Sequence, residues 1–184
     1  MRYTKYLSLI HVWILNLCLN LYPFFVIDPF FDNQSHIGNQ MGHPIYLILW
    51  AISSAWGFYY LSKVIWDKTN FPYPGFFHTL ICILMVLSCI IPYSLDQSSW
   101  INDLHIWIAI ASVTCFIMEW LYYFYWKGNL DRYERFLLFV FMFCAFLLLF
   151  PGHITSSAET AFSCLVNMVL YILAFLHKRD TIKP

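Results

Sequence analysis

Residues 104–135 read LHIWIAIASVTCFIMEWLYYFYWKGNLDRYER. The part from Leu104 to Trp126 carries a single formal charge, Glu119, and the short segment after it holds the cations Lys127, Arg132 and Arg135. A helix rises 1.5 Å per residue and a bilayer core is about 30 Å thick, so about 20 such residues cross it. The run is continuously apolar without period-two alternation, which excludes a barrel strand. One apolar helix ending in a basic segment is therefore the unit from which the rest of the chain is read.

Five further stretches share its character: Tyr6–Ile27, Pro44–Ile65, Phe76–Leu95, Phe136–Ile154 and Ser157–Leu176. Of the 184 residues, 61% are hydrophobic and 11% charged, too little polar surface to cover a soluble domain of this size. The expected fold is all-α, a polytopic integral membrane bundle of six transmembrane helices, with the whole chain, 1–184, as a single transmembrane domain. Between the spans the ten Lys and Arg residues are one-sided. Arg2 and Lys5 precede the first span, Lys63 and Lys68 lie around the soluble segment after the second, and Lys178, Arg179 and Lys183 follow the last. Segments 28–43, 96–103 and 151–156 hold none. Such a split arises by chance about once in five hundred, and the positive-inside bias then puts both termini in the cytoplasm. Arg2 and Lys5 before an apolar run resemble a signal peptide. The run is too long for one, and Leu21-Tyr-Pro-Phe-Phe25 lacks small residues for cleavage, so it is expected to remain as a helix. With the small size, this favours a bacterial plasma membrane.

Local chemistry supports the boundaries. Proline removes a backbone donor, so Pro23, Pro92 and Pro151 are expected to kink or stop spans one, three and five. Asp131-x-x-Glu134 and Ser156-x-x-Glu159 read as capping boxes, Asn102 or Asp103 can cap span four, and Pro44 suits a first helical turn. Phe71-Pro-Tyr-Pro-Gly75 is a tight turn. The apolar part of span five, Phe136–Phe150, covers only about 22 Å, which thins the bilayer or draws Pro151-Gly152-His153 below its surface. The six cysteines all lie within spans and form no Cys-x-x-Cys pair, so they read as small hydrophobes. No basic groove-like run exists for nucleic acid.

The face opposite the cations holds Asp28, Asp32, Asp96, Asp103 and Glu159 with His36, His43, His105 and His153. Carboxylate and imidazole without Lys or Arg suit a divalent metal such as zinc. His105, His153, Asp103 and Glu159 are the candidate ligands, because short loops bring these span ends together. Against them stand the capping roles of Asp103 and Glu159 and the absence of HExxH or similar spacing. Caps and solvated loops account for the same residues with no cofactor. Inside the spans, Glu119 is the one deep acid, costing about 2–3 kcal/mol to insert unless protonated or paired. Its candidate partners are His11, Asn16, Asn20, Ser53, Ser54 and Asn167. Asn16 and Asn20 lie four apart and share a face. Glu119, Asn16, Asn20 and Asn167 thus form a candidate intramembrane polar site, open to a packing role or to a proton or substrate role. His78 and His177 fall at cytoplasmic span ends.

Leu21-Tyr-Pro23-Phe24 at the exit of span one, His36-Ile-Gly-Asn-Gln-Met-Gly42 in the first outer loop, Leu104-His-Ile-Trp-Ile-Ala109 opening span four and Ser157-Ala-Glu159 in span six stand in a telling order. That layout resembles the DRAM/Sfk-type family of six-span membrane proteins, although the family's Ser-x-x-Gly pattern in the first loop is only loosely matched. The resemblance implies a non-enzymatic protein that organises or senses lipid, with no catalytic residues to assign. The CREST hydrolases, which bind zinc through histidines and an aspartate near one membrane face, are a second comparison. The HxxxH pair is missing here and six spans replace seven.

Non-enzymatic binding of membrane lipid or a small apolar partner is the favoured function, with a protein partner or a homo-oligomer left open. The alternatives are an outer-face metal-dependent lipid hydrolase and a small transporter or its membrane subunit. The hydrolase requires His105, His153 and an outer acid to converge. The transporter requires a polar cavity reaching Glu119, and the lipid binder an apolar groove open to the side of the bundle.

Overall fold

The computed structural model describes residues 2–93, 100–149 and 153–177, and among them the regular structure is helical with no strand. The helices are α1 (Thr4–Val26), α2 (Gln34–Asn39), α3 (Pro44–Thr69), α4 (Gly75–Ile90), α5 (Trp100–Lys127), α6 (Arg132–Leu149) and α7 (Ser156–Leu176). Four of them, α1, α3, α5 and α7, are long and apolar enough to cross a membrane. The other two expected spans are shorter. α4 has 16 residues and stops at Ile90, ahead of Pro92, while α6 is described over 18 and opens on Arg132, Glu134 and Arg135. Pro151 and Gly152, expected to end span five, lie outside the described residues.

The surface carries the mark of an apolar solvent. Trp13 and Ile14 on α1, Leu49 and Trp56 on α3, Trp107 and Met118 on α5, and Phe139 and Met142 on α6 are all exposed. Contiguous apolar surface of this kind is rare on soluble monomers and fits an integral membrane protein.

α5 packs on α4, α4 on α3, α3 on α7 and α7 on α6, while α1 lies over the α3–α7 seam and α2 folds onto α3. α1 is not regular. A π turn over His11–Asn16 widens it, and the backbone stays helical through Tyr22 into Pro23, so the proline neither stops the helix there nor prevents one more turn to Val26. The widened turn leaves Val12 and Asn16 buried.

The two ends of the bundle differ. At the end formed by the α3–α4 and α5–α6 turns, Trp66, Trp120 and Tyr123 are fully buried and Trp66 stacks obliquely on Trp120 at 5.5 Å. The capping box expected at 131–134 is present. Asp131 Oδ1 accepts from the amides of Tyr133 (2.9 Å) and Glu134 (3.0 Å), and Glu134 Oε2 accepts from the Asp131 amide (3.0 Å). Glu134, fully buried, also pairs with Lys127 and accepts from the Tyr123 hydroxyl at 2.8 Å. His177 sits 3.1 Å from Asp131, and Lys68 donates to the Ala174 carbonyl. These contacts tie α3, α5, α6 and α7 together.

At the α2 end, two expected caps are corrected. Thr155 rather than Ser156 caps α7, its hydroxyl accepting from the Ala158 amide at 3.3 Å. The amides of Ser156 and Ser157 donate instead to the carbonyls of Asp32 (2.6 Å) and Pro29 (2.8 Å), which pins the first loop over α7. Asn102 and Asp103 lie within α5, which is described from Trp100, rather than ahead of it. Pro44 stands in the first turn of α3, as expected.

Candidate functional site

Small side chains on neighbouring helices leave a space in the half of the bundle nearer α2. Ala51 and Ala55 on α3, Ala109 and Ser112 on α5, Ala145 on α6 and Ala158 on α7 surround a cavity of about 290 Å³. Helices cannot fill the gap between them where alanines face alanines. The floor is aromatic. Phe58 and Phe162 line it with ring centroids 5.5 Å apart, and Phe116 lies behind them, 4.9 Å from Phe58 and 6.3 Å from Phe162. Phe141 closes the cluster at 6.2 Å from Phe162. Ile110 and Thr114 line the cavity and are also exposed, so the space reaches the flank of the bundle along α5.

The roof is polar and comes from α2. Asn33 caps that short helix by accepting from the His36 amide at 2.9 Å, which turns Ser35 inward. Ser35 Oγ lies 3.2 Å from His105 Nε2, and His105 Nδ1 lies 3.2 Å from the Ile91 carbonyl. A carbonyl only accepts, so Nδ1 bears the hydrogen and Nε2 accepts from the Ser35 hydroxyl. Beside Ser35, the Gln34 amide donates to Glu159 Oε2 at 2.7 Å. Both His105 and Glu159 line the cavity.

Two of the four candidate metal ligands thus share one space and two do not. Asp103 is exposed on the first turn of α5, and His153 is exposed with Nε2 3.2 Å from the Phe31 carbonyl. Among the described residues no group of three or more His, Cys, Asp and Glu side chains could hold a metal ion.

The intramembrane candidates separate into two clusters. Asn16, Asn20 and Asn167 are fully buried where α1 meets α3 and α7. Asn20 Nδ2 donates to the Asn16 carbonyl (2.8 Å) and Ser163 Oγ (3.0 Å), and its Oδ1 accepts from Trp50 at 2.8 Å. Ser54 and Ser163 meet at 2.6 Å, and His11 Nε2 reaches Ser53 at 3.0 Å. Asn167 fits only because Gly57 faces it; a Cβ there would stand 1.9 Å from Asn167 Oδ1.

Glu119 belongs elsewhere. Its Oε2 is 2.8 Å from Nδ1 of His78, whose Nε2 is 3.2 Å from the Tyr59 carbonyl. Nε2 must therefore bear a hydrogen, and one more proton lies between Nδ1 and Oε2. Imidazolium with carboxylate, or imidazole with carboxylic acid, leaves the pair neutral either way. Tyr59, Trp66, Tyr73 and Phe116 surround the fully buried imidazole, with centroids 5.4, 4.7, 6.4 and 6.3 Å away. Sequence reasoning placed His78 at a span end and did not pair it with Glu119. The close packing of α4 along α5 is what joins them. It also missed α2, whose one signal was Asn33 as a cap.

No protein-family model matches the chain, and comparison with curated proteins and with solved structures finds no match.

Proposed function

We propose that the protein is a six-span plasma-membrane protein, both termini cytoplasmic, that takes a lipid chain or a small apolar molecule into the cavity beneath α2 without acting on it chemically. The observation that carries this is the cavity itself: apolar walls, an aromatic floor and a side opening along α5 at Ile110 and Thr114. Pockets for small molecules are of this kind, mostly apolar with a few placed polar groups. α4 and α6 serve as the two remaining spans. At 1.5 Å per residue α6 covers about 27 Å, and the shorter α4 needs a locally thinned bilayer. The one-sided Lys and Arg residues support the orientation.

The competing readings have less behind them. The hydrolase needs His153 and an outer acid beside His105, and among the described residues of that set Glu159 alone shares its cavity. The transporter needs a wet path to Glu119, and Phe116 stands between that residue's partner His78 and the cavity floor.

Native mass spectrometry of protein purified in mild detergent, with lipid and metal analysis, tests the proposal. Lipid adducts are expected on the native chain and are lost in Ala109→Trp and Ala158→Phe, which fill the cavity, while elution volume is unchanged. A native chain without any apolar adduct, or adducts indifferent to both fillings, would sink it. The same spectra report the stoichiometry of a homo-oligomer or a retained protein partner.

A further inference from the structure

We infer that the cavity's ligand is a single-chain amphiphile with a primary ammonium head, held by Glu159 under α2. This deepens the proposed function and rests on it. The inference starts from the hydrogen-bonding capacity left over at the roof. Glu159 Oε2 is occupied by the Gln34 amide, and among the described residues Oε1 has no hydrogen-bond partner. Glu159 lines the cavity, and Oε1 is the oxygen it has left to offer there. His105 spends its one N–H on the Ile91 carbonyl, and Ser35 spends its hydroxyl hydrogen on His105 Nε2. What Ser35 and Glu159 still offer is lone pairs. The rim around them accepts and has little to donate.

Charge sharpens the selection. Among the described residues no Lys or Arg lines the cavity. A phosphate or carboxylate head would set two anions together in a low-dielectric space without a counter-ion, which is strongly unfavourable. An ammonium reverses the situation. It supplies three donors, matching Glu159 and the neighbouring Ser35 oxygen, and it neutralises a carboxylate that is costly to bury alone. An alcohol head supplies one donor and no charge, so it binds more weakly. Size limits the tail. A volume of about 290 Å³ lies at the lower end of the usual range for ligand pockets, about 300–1,000 Å³, enough for one chain and not for a two-chain lipid. The tail runs over Ala109 and Ile110 towards the side opening.

The test uses the full chain in nanodiscs of zwitterionic lipid, titrated with dodecylamine, dodecanol and dodecanoic acid and read by native mass spectrometry. A charged hydrogen bond is about twice as strong as a neutral one, so the amine is expected to bind about tenfold more tightly than the alcohol, with the acid weakest. In Glu159→Gln the amine and alcohol should bind alike, with alcohol affinity retained. Equal binding of all three heads to the native chain overturns the ammonium assignment, and needs no variant. An amine preference that survives Glu159→Gln overturns Glu159 as its seat. In both cases the cavity still binds chains and the proposed function stands. If none of the three binds, the proposed function fails as well.

Discussion

Breaking the contact between His78 and Glu119 should cost more than its single hydrogen bond suggests. The imidazole is fully buried among four aromatic rings, and Glu119 Oε2 at 2.8 Å is the partner of its Nδ1. Glu119→Leu removes that partner and leaves a polar ring nitrogen where nothing replaces it. Removing one member of a buried pair typically costs about 3–5 kcal/mol. At about 2–4 °C per kcal/mol for a chain of this size, the apparent Tm should fall by about 6–20 °C. Glu119→Gln behaves differently. Its amide can donate to Nδ1 of a neutral imidazole whose Nε2–H stays on the Tyr59 carbonyl, so the loss should shrink to about 1–2 kcal/mol. The double variant His78→Phe/Glu119→Leu deletes both polar groups and should be more stable than the sum of the single losses implies, by at least about 1 kcal/mol. Thermal unfolding of monodisperse protein in one detergent, at one scan rate, measures all four. Equal losses for Glu119→Leu and Glu119→Gln, or a double variant equal to the sum, would refute the shared-proton pair.

Three further outcomes follow from the same structure. Asn20→Leu removes the donor to Asn16 and Ser163 and the acceptor of Trp50, and should cost about 1–3 kcal/mol in the same unfolding assay. Gly57→Ala drives a Cβ to within 1.9 Å of Asn167 and should cost about 1–3 kcal/mol, with Asn167→Ala restoring part of it in the double variant. Asp131 lies outside the membrane-crossing helices. Burial there opposes its charge, but the amides of Glu134 and Tyr133 with the charges of Lys127 and His177 outweigh that and hold its pKa below the ordinary 3.8. A lowered acid stabilises the fold fully above its unfolded pKa and loses that contribution as pH falls through its folded value. The Tm advantage of the native chain over Asp131→Asn should therefore be constant near neutrality and disappear below about pH 4; an advantage that grows on acidification would contradict the assignment.

Hydropathy and turn chemistry made the helices legible before the structure did, because both act within a few residues of chain. The capping box at Asp131 and Glu134, the proline opening α3 and the stop of α4 before Pro92 are all local decisions. What could not be read is which helices are neighbours. Glu119 was grouped with Asn16, Asn20 and Asn167 in one intramembrane polar site, yet α4 runs along α5 and delivers His78 instead. Glu159 sits three residues after a serine and so resembles half of a capping box. Its carboxylate instead reaches an amide 125 residues away in sequence. The cavity was equally hidden. Ala51, Ala109, Ala145 and Ala158 are unremarkable in their own spans and make a space only once four helices set them face to face.

The polar groups inside this bundle divide by what they still need. The Asn16–Asn20–Ser163 cluster joins three helices, and most of its donors and acceptors are spent on one another, as membrane helices use polar residues to pack. His78 and Glu119 share one proton and aromatic rings surround the imidazole, while Glu119 Oε1 stays buried without a hydrogen-bond partner among the described residues and lines no part of the cavity beneath α2. Glu159 and Ser35 are different, because both line a space and keep lone pairs that no described residue uses. The clamp at Lys127, Asp131, Glu134 and His177 holds the opposite end of the bundle, which lets the α2 end keep that space without loosening the fold. An unmet acceptor beside an unfilled volume is the condition under which a ligand gains more than water would. That condition holds beneath α2, whereas the other two clusters are built to hold the bundle together.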